Sequence, residues 1–157
     1  MASPLCHHLT CLYTSDAELA QRVSVEALGL FIKTALASSE AWYSEQTFSG
    51  PAPRALVVVL GPGHQIRLIM DEHNAILQGE ALALVSAWTT SALNCEVAGP
   101  VVLGVQYSLG AAPPGFPVPW PPPPAKWIAA AQACGGADST VDDVALYFLS
   151  QNQTAIQ

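Results

Sequence analysis

Charge is what this sequence has least of. Only 11% of its residues are Asp, Glu, Lys or Arg, against about 25% in an ordinary soluble domain. The basic residues number five, Arg22, Lys33, Arg54, Arg67 and Lys126, and they are spread along the chain. No cluster of them can neutralise a run of phosphates, so nucleic-acid binding loses its main driving term. An anionic membrane surface is disfavoured for the same reason. Paired cysteine spacing is missing too: Cys6, Cys11, Cys95 and Cys134 form no Cys-x-x-Cys, which argues against a zinc ribbon or a thioredoxin-like redox pair. There is no Gly-x-Ser-x-Gly elbow for a serine hydrolase. Gly61-Pro62-Gly63-His64 lacks the Lys and Ser or Thr that a phosphate-binding loop requires.

Long apolar runs are also absent. From Ala81 to Ala125 the only charge is Glu96, but Ser, Thr, Asn, Gly and Pro interrupt the stretch. A membrane span needs about 20 continuous apolar residues, so an integral membrane protein is not expected. Met1–His8 has no basic segment followed by an apolar run, so no secretory signal is expected. The expected location is cytoplasmic, with cysteines reduced and the Asn152-Gln153-Thr154 sequon unmodified.

What the chain does contain fits one acidic domain over residues 1–157 with a net charge of −7. Hydrophobic residues make up 51%, enough for a self-sufficient core at this length. With so little charge to coat it, part of the exterior is expected to lie against a partner.

Periodicity supplies the elements. His8–Tyr13 reads as a short strand. Ser15-Asp16-Ala17-Glu18 is a capping box. One helix is expected after it, with Leu19, Val23, Ala27, Leu30, Phe31 and Thr34 on a stripe. Leu28–Ile32 is apolar all round, which implies burial on more than one side. Ser38-Ser39 is expected to break this helix, with a further helical segment over Glu40–Phe48. Ala55–Leu60 is a β-branched run suited to a doubly covered strand. A Gly-Pro-Gly turn joins it to a returning strand at Gln65–Met70, making a β-hairpin. Glu72–Leu93 reads as a helix with Ile76, Leu77, Ala81, Leu84, Val85 and Trp88 inward, weakened by about 1 kcal/mol at Gly79. Val101–Ser108 is another strand.

Residues 110–124 form a proline-rich loop. A short helix then opens near Pro124 or Ala125 and ends at Gly135-Gly136. Ser139 with Asp142 opens a last helix, with Val141, Val144, Ala145, Phe148 and Leu149 on one face. The fold class is therefore α/β of the α+β type: a three- to four-stranded sheet containing a hairpin, with helices packed on it. A small sheet leaves an edge to be covered or paired, which makes a homodimer a natural solution.

Three stretches carry possible chemistry. Cys6, His7, His8 and Cys11 concentrate zinc-type ligands, but without the usual pair spacing. Met70-Asp71-Glu72-His73-Asn74-Ala75-Ile76 resembles the Cys-Ala-Glu-Arg-Asn-Ala-Ile motif that opens a helix in cytidine deaminases. That resemblance implies Glu72 as the proton shuttle beside a metal-bound water, with His73 next to it. Met70 stands where that family has a zinc ligand, and its Pro-Cys-x-x-Cys motif is absent. Pro113–Pro124 has Pro-x-x-Pro spacings of the kind that dock in aromatic grooves. It also carries Phe116 and Trp120, which can anchor the loop on its own domain. The order helix, hairpin, helix, strand is similar to roadblock and longin-like scaffold domains, which implies a dimeric adaptor.

No catalytic constellation is complete. The expectation is a non-catalytic, self-associating protein-interaction domain of adaptor, small-chaperone or inhibitor type, needing no cofactor. Its expected binding residues are Leu28, Phe31 and Ile32 on the apolar helix, and Phe116 and Trp120 in the loop. The alternative is a small deaminase-like or metal-dependent enzyme using Glu72 and His73.

Overall fold

The computed structural model describes residues 5–46, 52–70, 79–91, 93–109 and 123–151; the side chains of residues 5–9, 11, 52–54 and 107–109 lie outside that description. In chain order the elements are β1 (Leu5–Leu12), α1 (Asp16–Arg22), α2 (Val25–Tyr43), β2 (Ala52–Gly61), β3 (Gln65–Ile69), α3 (Glu80–Thr90), β4 (Val101–Leu109), α4 (Ala125–Ala133) and α5 (Val141–Ser150). A short 3₁₀ turn, Gly136–Asp138, precedes α5.

The four strands make one sheet in the order β1-β4-β2-β3, and every neighbouring pair is antiparallel. The mixed α+β class expected from the sequence is therefore present, with β1 and β3 at the sheet's two edges. The hairpin turns through Pro62, Gly63 and His64, and pairs Gly61 with Gln65. Gly63 and His64 both adopt left-handed backbone, at φ 73° and 59°.

Helices cover both faces of the sheet, as alternation along β2 requires. Leu56, Val58 and Leu60 belong to one core with Leu68, Met70, Val101, Leu103 and Val105. On that face lie α1, α2 and α3, which contribute Leu19, Phe31, Ala35, Leu84 and Trp88. Val57 and Val59 belong to a second core with Ile69 and Val102, covered by Trp127 and Ala130 of α4 and Val144, Ala145, Phe148 and Leu149 of α5. Trp127 stacks on Phe148 at 5.8 Å and meets Tyr13 edge-on at 5.6 Å. The Tyr13 ring lies over Gly104 so closely that a Cβ there would stand 2.9 Å from it. That contact explains a glycine inside a central strand.

Several local expectations are corrected. The helix after Ser15 is not continuous. The backbone leaves helical geometry at Val23, and Ser24 opens α2 by accepting from the Ala27 N–H at 3.2 Å. This restart re-phases the stripe: Leu28, Phe31, Ala35 and Leu36 are buried, while Leu30 and Thr34 face out. Leu28–Ile32 is thus buried on one side only.

Ser38-Ser39 does not break α2. The Ser39 hydroxyl donates to the Ala35 carbonyl at 2.9 Å, satisfying itself within the helix. The described part of α3 begins at Glu80, and Gly79 is its N-cap at φ 79°. At that position a glycine relieves strain instead of weakening the helix. The last helix is capped by Thr140 with Asp143 in a reciprocal capping box, not by Ser139 with Asp142.

Asp142 has a different task. Its carboxylate accepts two hydrogen bonds from Arg22, at 2.9 and 2.8 Å. Arg22 also donates to the Pro100 carbonyl at 2.7 Å, just ahead of β4. Arg22 ends α1 in one helical layer and Asp142 opens α5 in the other, so the pair ties both layers around one end of the sheet. The hydrogen bond to Asp142 raises the Arg22 pKa above its ordinary value, as do the nearby charges of Asp142 and Glu18, while partial burial opposes them. A raised arginine pKa stabilises the fold fully below the ordinary arginine pKa, and this contribution is lost only as pH climbs through the raised value. It is therefore constant across neutral pH. Removing the donor, as in Arg22→Ala, is expected to cost about 2 kcal/mol and lower Tm by roughly 4–8 °C. Thermal unfolding followed by circular dichroism at pH 6 and pH 8 checks both the size and the constancy of this loss.

Candidate functional site

Helix α2 divides its residues sharply between core and solvent. Its inner side carries Leu28 at 2% exposure and Phe31 at 0%, with the Phe31 ring edge-on to Trp88 at 5.6 Å. Ile32 is partly buried against the same core. Leu28 and Phe31 were expected as binding residues, but they are committed to the fold and offer nothing to a partner.

The opposite side of α2 presents other residues. Val25 and Leu30 are 58% and 59% exposed. They border a groove of about 510 Å³ that also takes in Glu26, Gly29, Lys33 and, from the segment before β4, Asn94. A Cβ added at Gly29 would meet nothing within 4 Å, so the middle of this groove is open. The groove therefore combines the large apolar side chains of Val25 and Leu30, the smaller Ala27 and Ser24, an open backbone stretch and one charge of each sign. Among the described residues no histidine or cysteine lines it. The other exposed large apolar side chains among the described residues are Leu82 on α3, Ile128 on α4, and Leu146 and Tyr147 on α5.

A second groove, of about 330 Å³, lies between the hairpin end and the C-terminus of α3. It is lined by apolar Leu60, Ile66, Leu93 and Val97 and by polar His64, Gln65, Thr89, Thr90 and Ser91. The three hydroxyls donate to helix carbonyls, Thr89 to Val85 at 2.7 Å, Thr90 to Ser86 at 2.6 Å and Ser91 to Ala87 at 2.7 Å. Among the described residues one imidazole and no carboxylate or thiol line it.

Among the described residues one carboxyl group is deeply buried. Glu80, at 2% exposure, opens α3 and accepts a hydrogen bond from the hydroxyl of Tyr43, itself 0% exposed. The pair joins the end of α2 to the start of α3. Neither groove reaches it. Arg67 is likewise buried, with its guanidinium donating to the carbonyls of Ile66 at 3.1 Å and Gln151 at 3.4 Å.

Cys6, His7, His8 and Cys11 all fall on β1, where His7 pairs with Ser108, His8 with Tyr107 and Cys11 with Gly104. Their side chains lie outside the described residues, as do Glu72, His73, Phe116 and Trp120 altogether. Among the described residues no three His, Cys, Asp or Glu side chains gather as a metal site, and no helix is long and apolar enough to cross a membrane.

Val25, Glu26, Gly29 and Lys33 line the α2 groove without any sequence motif that singles them out, and the stripe expected from the sequence puts Leu30 inward. Ser24 was the available signal: a serine N-cap two residues before an acidic first-turn residue resets the helical phase. Comparison of the chain with protein-family models, curated proteins and solved structures finds no match.

The division of α2 is open to a direct check. Phe31→Ala is expected to lower unfolding free energy by about 3–5 kcal/mol, as for other buried Phe→Ala changes. Leu30→Ala is expected to change it by no more than about 0.5 kcal/mol, as on most surfaces. Urea unfolding of both variants measures the difference; equal midpoints would remove the basis for this assignment of faces.

Proposed function

We propose that this chain is a non-catalytic protein-interaction domain that docks through the outer face of α2. The observation that carries the reading is the pair Val25 and Leu30, each more than half exposed at one groove. Scattered apolar residues are ordinary on a protein surface. Apolar side chains gathered around an open groove and rimmed by polar groups mark a contact site. The composition supports the same reading, since a chain with 11% charged residues has little with which to solvate an apolar patch.

Adaptor, small-chaperone and inhibitor roles all suit such a surface. The reading invokes no cofactor and no nucleic acid, and we place the activity in the cytoplasm. Docking on α2 leaves the core untouched, because Leu28 and Phe31 occupy the other side of the same helix.

The test is the size of the native species. In gently prepared lysate the protein is expected to migrate as an assembly larger than its own 16.5 kDa. Leu30→Lys is expected to reduce that size without shifting the urea midpoint of the purified chain at concentrations where it is monomeric. A 16.5 kDa species in the lysate, unchanged by Leu30→Lys, would refute the interaction reading.

A further inference from the structure

We infer that the outer face of α2 is built to pair with the same face of a second copy of this chain, two helices crossing antiparallel about a two-fold axis between Gly29 and Leu30. The inference rests on the interaction reading above and names the partner.

Self-association across a two-fold axis requires one patch to be complementary to itself. The α2 face meets that condition in shape and in charge, with the same centre for both. An axis between residues 29 and 30 sets Leu30 of one copy against Gly29 of the partner subunit. Leu30 projects, being 59% exposed, and Gly29 has nothing within 4 Å of where a Cβ would stand. Projection and hollow are neighbours on one helix, and the rotation exchanges them.

The same axis sets Glu26 against Lys33 of the partner subunit. Both residues are exposed and both border the groove. The interface therefore contains two opposite-charge contacts, one on each side of the centre. Lys33 is one of only five basic residues in the chain.

Gly29 itself calls for such an explanation. A glycine inside an α-helix costs about 1 kcal/mol relative to alanine. Left-handed backbone does not account for it, since its φ is not positive. Crowding does not either, since a Cβ would have open space within its own chain. Close approach of a second helix backbone gives the missing side chain a role. The exposed ion pairs contribute little affinity; they fix register and exclude the parallel arrangement, while Leu30 and Val25 supply the apolar contact.

The test is the mass of the purified full chain by light scattering and sedimentation across a concentration series. Wild type is expected to form a species of twice 16.5 kDa. Glu26→Lys and Lys33→Glu are each expected to raise the dissociation constant about tenfold or more, because each places like charges in contact. The double variant Glu26→Lys/Lys33→Glu is expected to recover the dimer. Mixing the two single variants is expected to give a mixed dimer that neither forms alone. Urea midpoints measured at a protein concentration low enough for every variant to be monomeric, where dimerisation no longer adds to stability, are expected to be unchanged and show that folding is intact. A wild-type dimer indifferent to both charge reversals overturns the α2 pairing. So does a wild-type monomer at every concentration; if the lysate species is nevertheless larger, the interaction reading stands without a second copy, and if it too is 16.5 kDa, both fall.

Discussion

Burial of β2 on both faces and along both edges is the constraint from which the rest of this structure follows. Leu56 to Leu60 are each at most 2% exposed, with β4 on one side and β3 on the other. Alternate side chains of such a strand must find apolar cover in opposite directions, so helices are needed on both faces of the sheet. The chain supplies α1 to α3 for one face and α4 and α5 for the other. Antiparallel pairing throughout lets a three-residue turn make the β2–β3 hairpin, and longer helical segments make the remaining connections.

Two layers that share only a thin sheet need their own connection. Arg22 provides it by reaching from α1 past the end of β4 to Asp142 in α5. A chain with so few charges sets a planar guanidinium fork on a carboxylate at the place where the layers meet. Tyr13 makes a second connection, leaving β1 to lie over Gly104 and against Trp127.

Once the core has taken its share of apolar side chains, the outer face of α2 still carries Val25 and Leu30. Their position follows from the phase of the helix, which Ser24 sets. Had α1 continued unbroken, Leu30 would have pointed inward with Leu19 and Val23. The candidate surface is in this sense a consequence of one serine cap. It brings together a hollow at Gly29, a projection at Leu30 and opposite charges at Glu26 and Lys33, all within eight residues of a single helix.

Much of the scaffold was legible because its signals are local. The β-branched run at Ala55–Leu60, the turn at Gly61–His64 and the apolar spacing of Val144, Ala145, Phe148 and Leu149 each specify an element without help from distant residues. The surface was less legible because an apolar residue in a sequence does not declare which side of the sheet, or of the molecule, it will face. Leu28 and Leu30 are chemically alike, yet one is 2% exposed and the other 59%. The sequence by itself determined the mixed α/β class, the hairpin and the lack of any basic run or Cys-x-x-Cys motif, since composition and short-range periodicity suffice for those. Only the tertiary structure decided the strand order, the pairing of Arg22 with Asp142 across 120 residues, and the faces of α2. Each depends on which segments meet in space, and burial free energy is assigned by that meeting, not by the identity of the residue alone.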